Sequence, residues 1–128
     1  MPKNLKDIVF VSALRTSIGK LNGVYSKYKS HELGASVIKE ILNRTNLDPK
    51  KIDEVIMGQV LTGLTGQNPA RQSAMSANIP NDKTAYVINQ VCGSGLRSVA
   101  AAYQSILVND AKIIIAGGQE SMSNSTEE

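Results

Sequence analysis

The residues best suited to covalent chemistry converge on Cys92, the only cysteine, within Asn89-Gln90-Val91-Cys92-Gly93-Ser94-Gly95-Leu96. An apolar, strand-like run ends just before it, and an amphipathic helix pattern begins just after it. A thiol at such a junction meets the positive end of a helix dipole and backbone N–H groups that lack intrahelical partners. Both favour the thiolate, which is the nucleophile. The same amides would donate hydrogen bonds to the negative oxygen of an acyl adduct. The chemistry this predicts is covalent acyl transfer. The plainer alternative is a small thiol packed beneath a helix, a common fate of free cysteine, and the residues alone leave both readings open.

Other candidates are weaker. Gly93-Ser94-Gly95-Leu96-Arg97-Ser98 follows a strand and opens a helix, as a dinucleotide fingerprint does, but Ser98 stands where the third glycine belongs. The structural alternative is that Gly93 and Gly95 permit a tight turn and close helix–strand packing. His31, the only histidine, lies in the first turn of a helix. A general base is conceivable there, and a solvated or capping imidazole is the plainer reading. Asp53 and Glu54 are adjacent on a strand and point to opposite faces, so they form no acid–base pair. Glu120 follows the fourth strand at the Cys92 end of the sheet, where it would shape the site or sit in solvent; the structural role is the preferred reading. Arg71 would bind an anion or pair with a carboxylate. Tyr25 and Tyr28 are too sparse for a binding platform.

The elements that must position Cys92 follow from periodicity and punctuation. Ile8–Val11 is a continuous apolar run, suited to a strand buried on both faces. Residues 12–29 read as a loop. Ser30 is an expected N-cap for a helix with a stripe of Leu33, Val37, Ile38, Ile41 and Leu42. A second strand is predicted over 54–61. Asn68-Pro69 then caps and starts a helix reaching about Asn78. A third strand spans 84–91, and a third helix spans 95–108 with Leu96, Val99, Ala100, Tyr103 and Leu107 on one face. A fourth strand covers 112–116, closed by Gly117-Gly118. Strands alternating with helices predict an α/β fold with a mostly parallel sheet flanked by helices, and Cys92 at the carboxyl edge.

Composition narrows the class. A chain of 128 residues with 41% hydrophobic and 20% charged residues suits one globular domain. The net charge of +3 comes with no basic run interleaved with aromatics, so nucleic acid is not expected as a partner. One cysteine excludes an internal disulfide or a cysteine-based metal cluster. No segment is long and apolar enough to span a bilayer, and Met1–Asp7 carries no apolar signal region, so a cytoplasmic location is expected.

Several stretches carry a family likeness: Ser12-Ala13-Leu14-Arg15-Thr16, His31-Glu32-Leu33-Gly34-Ala35, Met57-Gly58-Gln59-Val60-Leu61, Gly66-Gln67-Asn68-Pro69-Ala70-Arg71-Gln72, Asn89–Arg97 and Ala116-Gly117-Gly118. In this order the chain resembles the N-terminal portion of a thiolase of the biosynthetic, acetyl-CoA acetyltransferase type. Gln119 departs from the family, which commonly has Met there. The resemblance implies a thiolase-like layered fold with residues 1–128 forming part of the N-terminal domain, ending near the start of the family's loop domain. It implies that Cys92 is acylated by acetyl-CoA, with its backbone N–H in an oxyanion hole. Two acetyl-CoA would then give acetoacetyl-CoA and CoA, or the reverse. No metal or prosthetic group is implied beyond the CoA thioesters, and a homo-oligomer, dimer or tetramer, is expected with residues 84–91 paired antiparallel to a twin.

The family's second cysteine, its Gly-His-Pro histidine and its Asn-Glu-Ala-Phe stretch have no counterpart in these residues. The 128-residue chain alone is therefore expected to hold the nucleophile without turning over. The alternatives are a degradative 3-ketoacyl-CoA thiolase and a non-catalytic fragment that dimerises.

Overall fold

The computed structural model describes residues 7–125. Helix α1 spans Ser30–Thr45. Strand β1 spans Glu54–Gly58, helix α2 Pro69–Ser76, strand β2 Thr84–Ile88, helix α3 Ser94–Leu107 and strand β3 Ile114–Gly118. Short 3-10 turns cover Pro49–Lys51 and Met122–Asn124. The sheet order is β2-β1-β3, with both pairings parallel. The predicted α/β class therefore holds.

Local signals account for most boundaries. Asn68 caps α2 by accepting the Arg71 N–H at 3.2 Å, with Pro69 at the first helical position. Helix α1 starts at Ser30 itself, with Lys29 at the cap; the Glu32 carboxylate accepts the Lys29 N–H. Its end is a left-handed Asn46.

The central strand carries the core. Val55, Ile56, Met57 and Gly58 are all buried, as a strand covered on both faces requires. Val55 and Met57 face Ile38, Leu42, Ala70, Ala74 and Ile79 in one cluster with α1 and α2. Ile56 and Gly58 alternate to the other face, where α3 packs. Each fully buried aliphatic side chain such as Ile38 contributes about 2 kcal/mol. At the amino edge, the Asp53 carboxylate accepts the N–H groups of Lys112 at 2.7 Å and Ile113 at 3.1 Å, tying the start of β3 to β1. Those bonds, Lys112 first, hold its carboxyl below the ordinary carboxylate range.

Three expectations need correction. Ile8–Val11 is not a buried strand: it pairs with no described strand, and Val9, Phe10 and Val11 are 71–83% exposed. An apolar run encodes a preference for burial, but a neighbour must supply the ladder. Here a cleft of about 330 Å³ separates Phe10 and Ser12–Thr16 from Ile115–Gly118 of β3. The buried face of α3 is Ser94, Ser98 and Ala102, not the apolar stripe; Leu96 is 79% exposed. Small residues face the sheet because α3 approaches it too closely for larger ones. Finally, Gly117 and Gly118 belong to β3 instead of ending it, and β1 and β2 stop at Gly58 and Ile88.

Candidate active site

The strands end in register: Gly58 lies opposite both Ile88 and Gly118. The next residue of each is an amide, Gln59, Asn89 and Gln119. The backbone continues the ladder, Gln59 N–H to Ile88 C=O at 3.0 Å and Gln119 N–H to Gly58 C=O at 2.9 Å. The Gln119 side chain accepts the Ser73 hydroxyl at 2.7 Å and donates to Gln59 Oε1 at 3.0 Å. All three side chains are buried. Gln119 is thus the centre of a satisfied polar network that joins β1, α2 and β3.

Cys92 is exposed in the turn from β2 to α3. The turn is bonded on both sides of it. Gly93 N–H reaches Gln90 C=O at 3.1 Å and Ser94 N–H reaches Val91 C=O at 3.2 Å. The Ser94 hydroxyl donates to Val91 C=O at 2.6 Å and accepts the Gln90 N–H at 2.8 Å. The Val91 N–H donates to Asn89 Oδ1 at 3.0 Å. Among the described residues no acceptor takes the Cys92 N–H. An exposed thiol beside an unpaired N–H, at the start of a 14-residue helix, has the geometry to carry an acyl group and to donate a hydrogen bond to the oxyanion formed on it.

The positive φ in this turn belongs to Val91, at 50°, while Gly93 has an ordinary φ of −86°. The glycine requirement instead falls on close approach, where a Cβ on Gly118 would stand 3.2 Å from Gly95 Cα. A β-branched residue held in the left-handed region costs about 1–3 kcal/mol and is over-determined by its surroundings. Sequence reasoning missed the roles of Val91, Asn89 and Ser94; with the helix expected from Gly95, the place of Ser94 just before it was the one signal of a capping role.

The other candidates resolve into structure. Glu120 does stand at this edge: its carboxylate accepts Val60 N–H at 2.9 Å and Leu61 N–H at 3.3 Å. Arg71 pairs with no carboxylate among the described residues; its guanidinium donates to the carbonyls of Lys83 and Asn81. His31 is half-buried, its Nδ1 without a partner, and makes no hydrogen bond to Cys92 among the described residues. Glu54 accepts the Thr84 hydroxyl at the opposite edge from Cys92. Tyr25 and Tyr28 form an edge-on ring pair. Among the described residues no group of three or more His, Cys, Asp or Glu could hold a metal ion, and no helix is long and apolar enough to cross a membrane.

The family described as "Thiolase, N-terminal domain" matches residues 8–128. The chain belongs to the thiolase family. An acetyl-CoA acetyltransferase of Rhizobium meliloti is 54% identical over 91% of this chain, and a probable acetyl-CoA acetyltransferase of Escherichia coli is 50% identical over 93% of it. The chain spans 30% of the length of each of these curated relatives. The crystal structure of the Bacillus anthracis acetyl-CoA acetyltransferase superposes with a TM-score of 0.80 at 31% identity, covering 84% of this chain and 27% of that one. The layered thiolase fold expected from the sequence is thus the one observed, and Gly58, Gly95 and Gly118 are where this thiolase sheet meets the helix that follows Cys92.

Proposed function

We propose that this chain is the nucleophile-bearing part of a biosynthetic-type acetyl-CoA acetyltransferase. The Cys92 thiolate attacks the thioester carbonyl of acetyl-CoA; the carbon–sulfur bond to CoA breaks, CoA leaves as thiolate, and acetyl-Cys92 forms. The α-carbanion of a second acetyl-CoA then attacks that carbonyl, giving acetoacetyl-CoA and regenerating the Cys92 thiolate. The proton removed from the second acetyl-CoA goes to a base outside these residues. The Cys92 N–H stabilises the oxyanion in both halves. CoA thioesters are the substrates, with no metal or prosthetic group in the step, and a homo-oligomer forms through the open edge of β2.

The observation that carries this reading is the exposed Cys92 beside its uncommitted N–H at the head of α3. The names of the relatives support acetyl-CoA as the donor. The chain has one cysteine and one histidine, and that histidine sits at α1, so the 128-residue chain alone is acetylated without turning over. The test is intact-mass analysis after incubation with acetyl-CoA, with a thiolysis assay alongside. One acetyl group on Cys92, absent in Cys92→Ser, is expected. No adduct, or sustained acetoacetyl-CoA cleavage by this chain alone, would overturn the respective claim.

A further inference from the structure

Val91, immediately before the nucleophile, has a φ of 50° that a valine does not adopt unaided. Its carbonyl is held from α3 by Ser94, through both the N–H and the hydroxyl. Its N–H is held by Asn89 Oδ1 at 3.0 Å. The same Asn89 amide donates through Nδ2 to the Val60 carbonyl at 3.4 Å. That second contact helps to fix which way the amide faces, because a flipped amide would set its NH2 against the Val91 N–H and its oxygen against the Val60 carbonyl oxygen. The Val60 carbonyl therefore helps to orient the group that holds Val91.

Val60 is itself held from the next strand over. The Glu120 carboxylate accepts the Val60 N–H at 2.9 Å and the Leu61 N–H at 3.3 Å, so it fixes the peptide planes just beyond the central strand. Glu120 is anchored on both sides: the Gln119 N–H bonds Gly58 C=O at 2.9 Å, and the Ser121 hydroxyl bonds Tyr28 C=O at 2.7 Å. A continuous line of contacts runs from β3 across the end of β1 to the turn after β2, without Glu120 approaching the sulfur by any bond.

We propose that Glu120 is a positioning residue for Cys92, acting through the Val60–Leu61 backbone and the Asn89 side chain; this rests on the reading of Cys92 as the acyl-transfer nucleophile. Removing the carboxylate frees two peptide planes, lets Asn89 turn, and allows Val91 to relax toward negative φ, which moves Cys92 relative to the head of α3. In Glu120→Gln the neutral amide retains one oxygen acceptor and restores part of the clamp.

The experiment measures the rate of Cys92 alkylation by iodoacetamide against pH in the full chain. The variants are Glu120→Ala, Glu120→Gln, Asn89→Ala and the Asn89→Ala/Glu120→Ala pair, with Asp53→Ala as a control weakened at the opposite edge of the sheet. Glu120→Ala is expected to slow alkylation by about tenfold or more and to displace the pH of half-maximal rate. Glu120→Gln recovers most of the rate. The paired variant is no slower than the worse single one, as members of one line require. Asp53→Ala lowers the melting temperature yet keeps the rate within about twofold.

A Glu120→Ala rate equal to that of the parent, or a paired loss equal to the product of the single losses, would overturn the proposal. If Glu120→Ala does not fold, the same cycle built on Glu120→Asp, whose shorter carboxylate withdraws from the Val60 and Leu61 N–H groups, and Asn89→Ala decides between these outcomes. Failure of the unaltered chain to form acetyl-Cys92 would remove the acyl-transfer reading while leaving this coupling measurable by alkylation.

Discussion

Gly58 and Ser94 meet backbone to backbone: a Cβ on Gly58 would stand 2.4 Å from the Ser94 carbonyl carbon and 2.6 Å from its oxygen. The head of α3 is thereby seated on the last residue of the central strand. Because Cys92 precedes that helix by two residues, its place is set by this contact as much as by its own turn.

Gly58→Ala tests that seat. The obstructing atoms are backbone and cannot swing aside, so α3 must shift as a body. A loss of about 3 kcal/mol is expected, at the upper end for an added methyl in a packed interior. Urea unfolding measures the loss, and slower alkylation of Cys92 would show that the helix head has moved.

Val91→Gly has the opposite sign. Glycine adopts a φ of 50° freely, whereas valine pays about 1–3 kcal/mol there. The added freedom of the unfolded chain takes back about 0.5–1 kcal/mol. Val91 is 65% exposed, so little packing is lost. A net gain of about 1 kcal/mol is expected, seen as a raised urea midpoint; a destabilised Val91→Gly would mean that the turn is not strained.

Asp53 confers an acid-sensitive stability. Its folded carboxyl titrates below the ordinary value of 3.8, chiefly through the Lys112 N–H. A depressed value means the stabilisation is complete above the unfolded value and is lost as the pH falls through the folded one. Asp53→Ala should cost about 1 kcal/mol at neutral pH, in the range of a lost carboxylate cap. The gap between variant and parent should close as the pH drops below 3.8. Urea midpoints across that range check it, and a gap independent of pH would count against the assignment.

Gln119→Met replaces the centre of the buried amide network with an unbranched apolar side chain. The Gln59 Oε1 atom then loses its donor in a buried site, while the Ser73 hydroxyl keeps the Pro69 and His31 carbonyls as acceptors. A loss of about 1–3 kcal/mol is expected for the stranded acceptor. Pairing it with an apolar replacement of Gln59 should recover much of that loss, which thermal melting of the two variants will show.

What the amino-acid sequence determined by itself was local. Asn68-Pro69 marked the start of α2, the apolar centre Val55-Ile56-Met57 marked the central strand, and the change from strand to helix pattern placed Cys92 at the sheet's carboxyl edge. Capping, strand runs and helical stripes are properties of neighbouring residues, so a linear reading reaches them. The tertiary structure decided which distant groups meet. Glu120 finds Val60 at a separation of 60 residues, and Gln119 finds Ser73 at 46. It also decided that Ile8–Val11 pairs with no described strand, that α3 buries Ser94, Ser98 and Ala102, and that Val91 is the left-handed residue of the Cys92 turn. In a parallel sheet, neighbouring strands are joined through long crossovers, so the order β2-β1-β3 and the depth at which α3 settles choose these partners. Periodicity carries neither quantity.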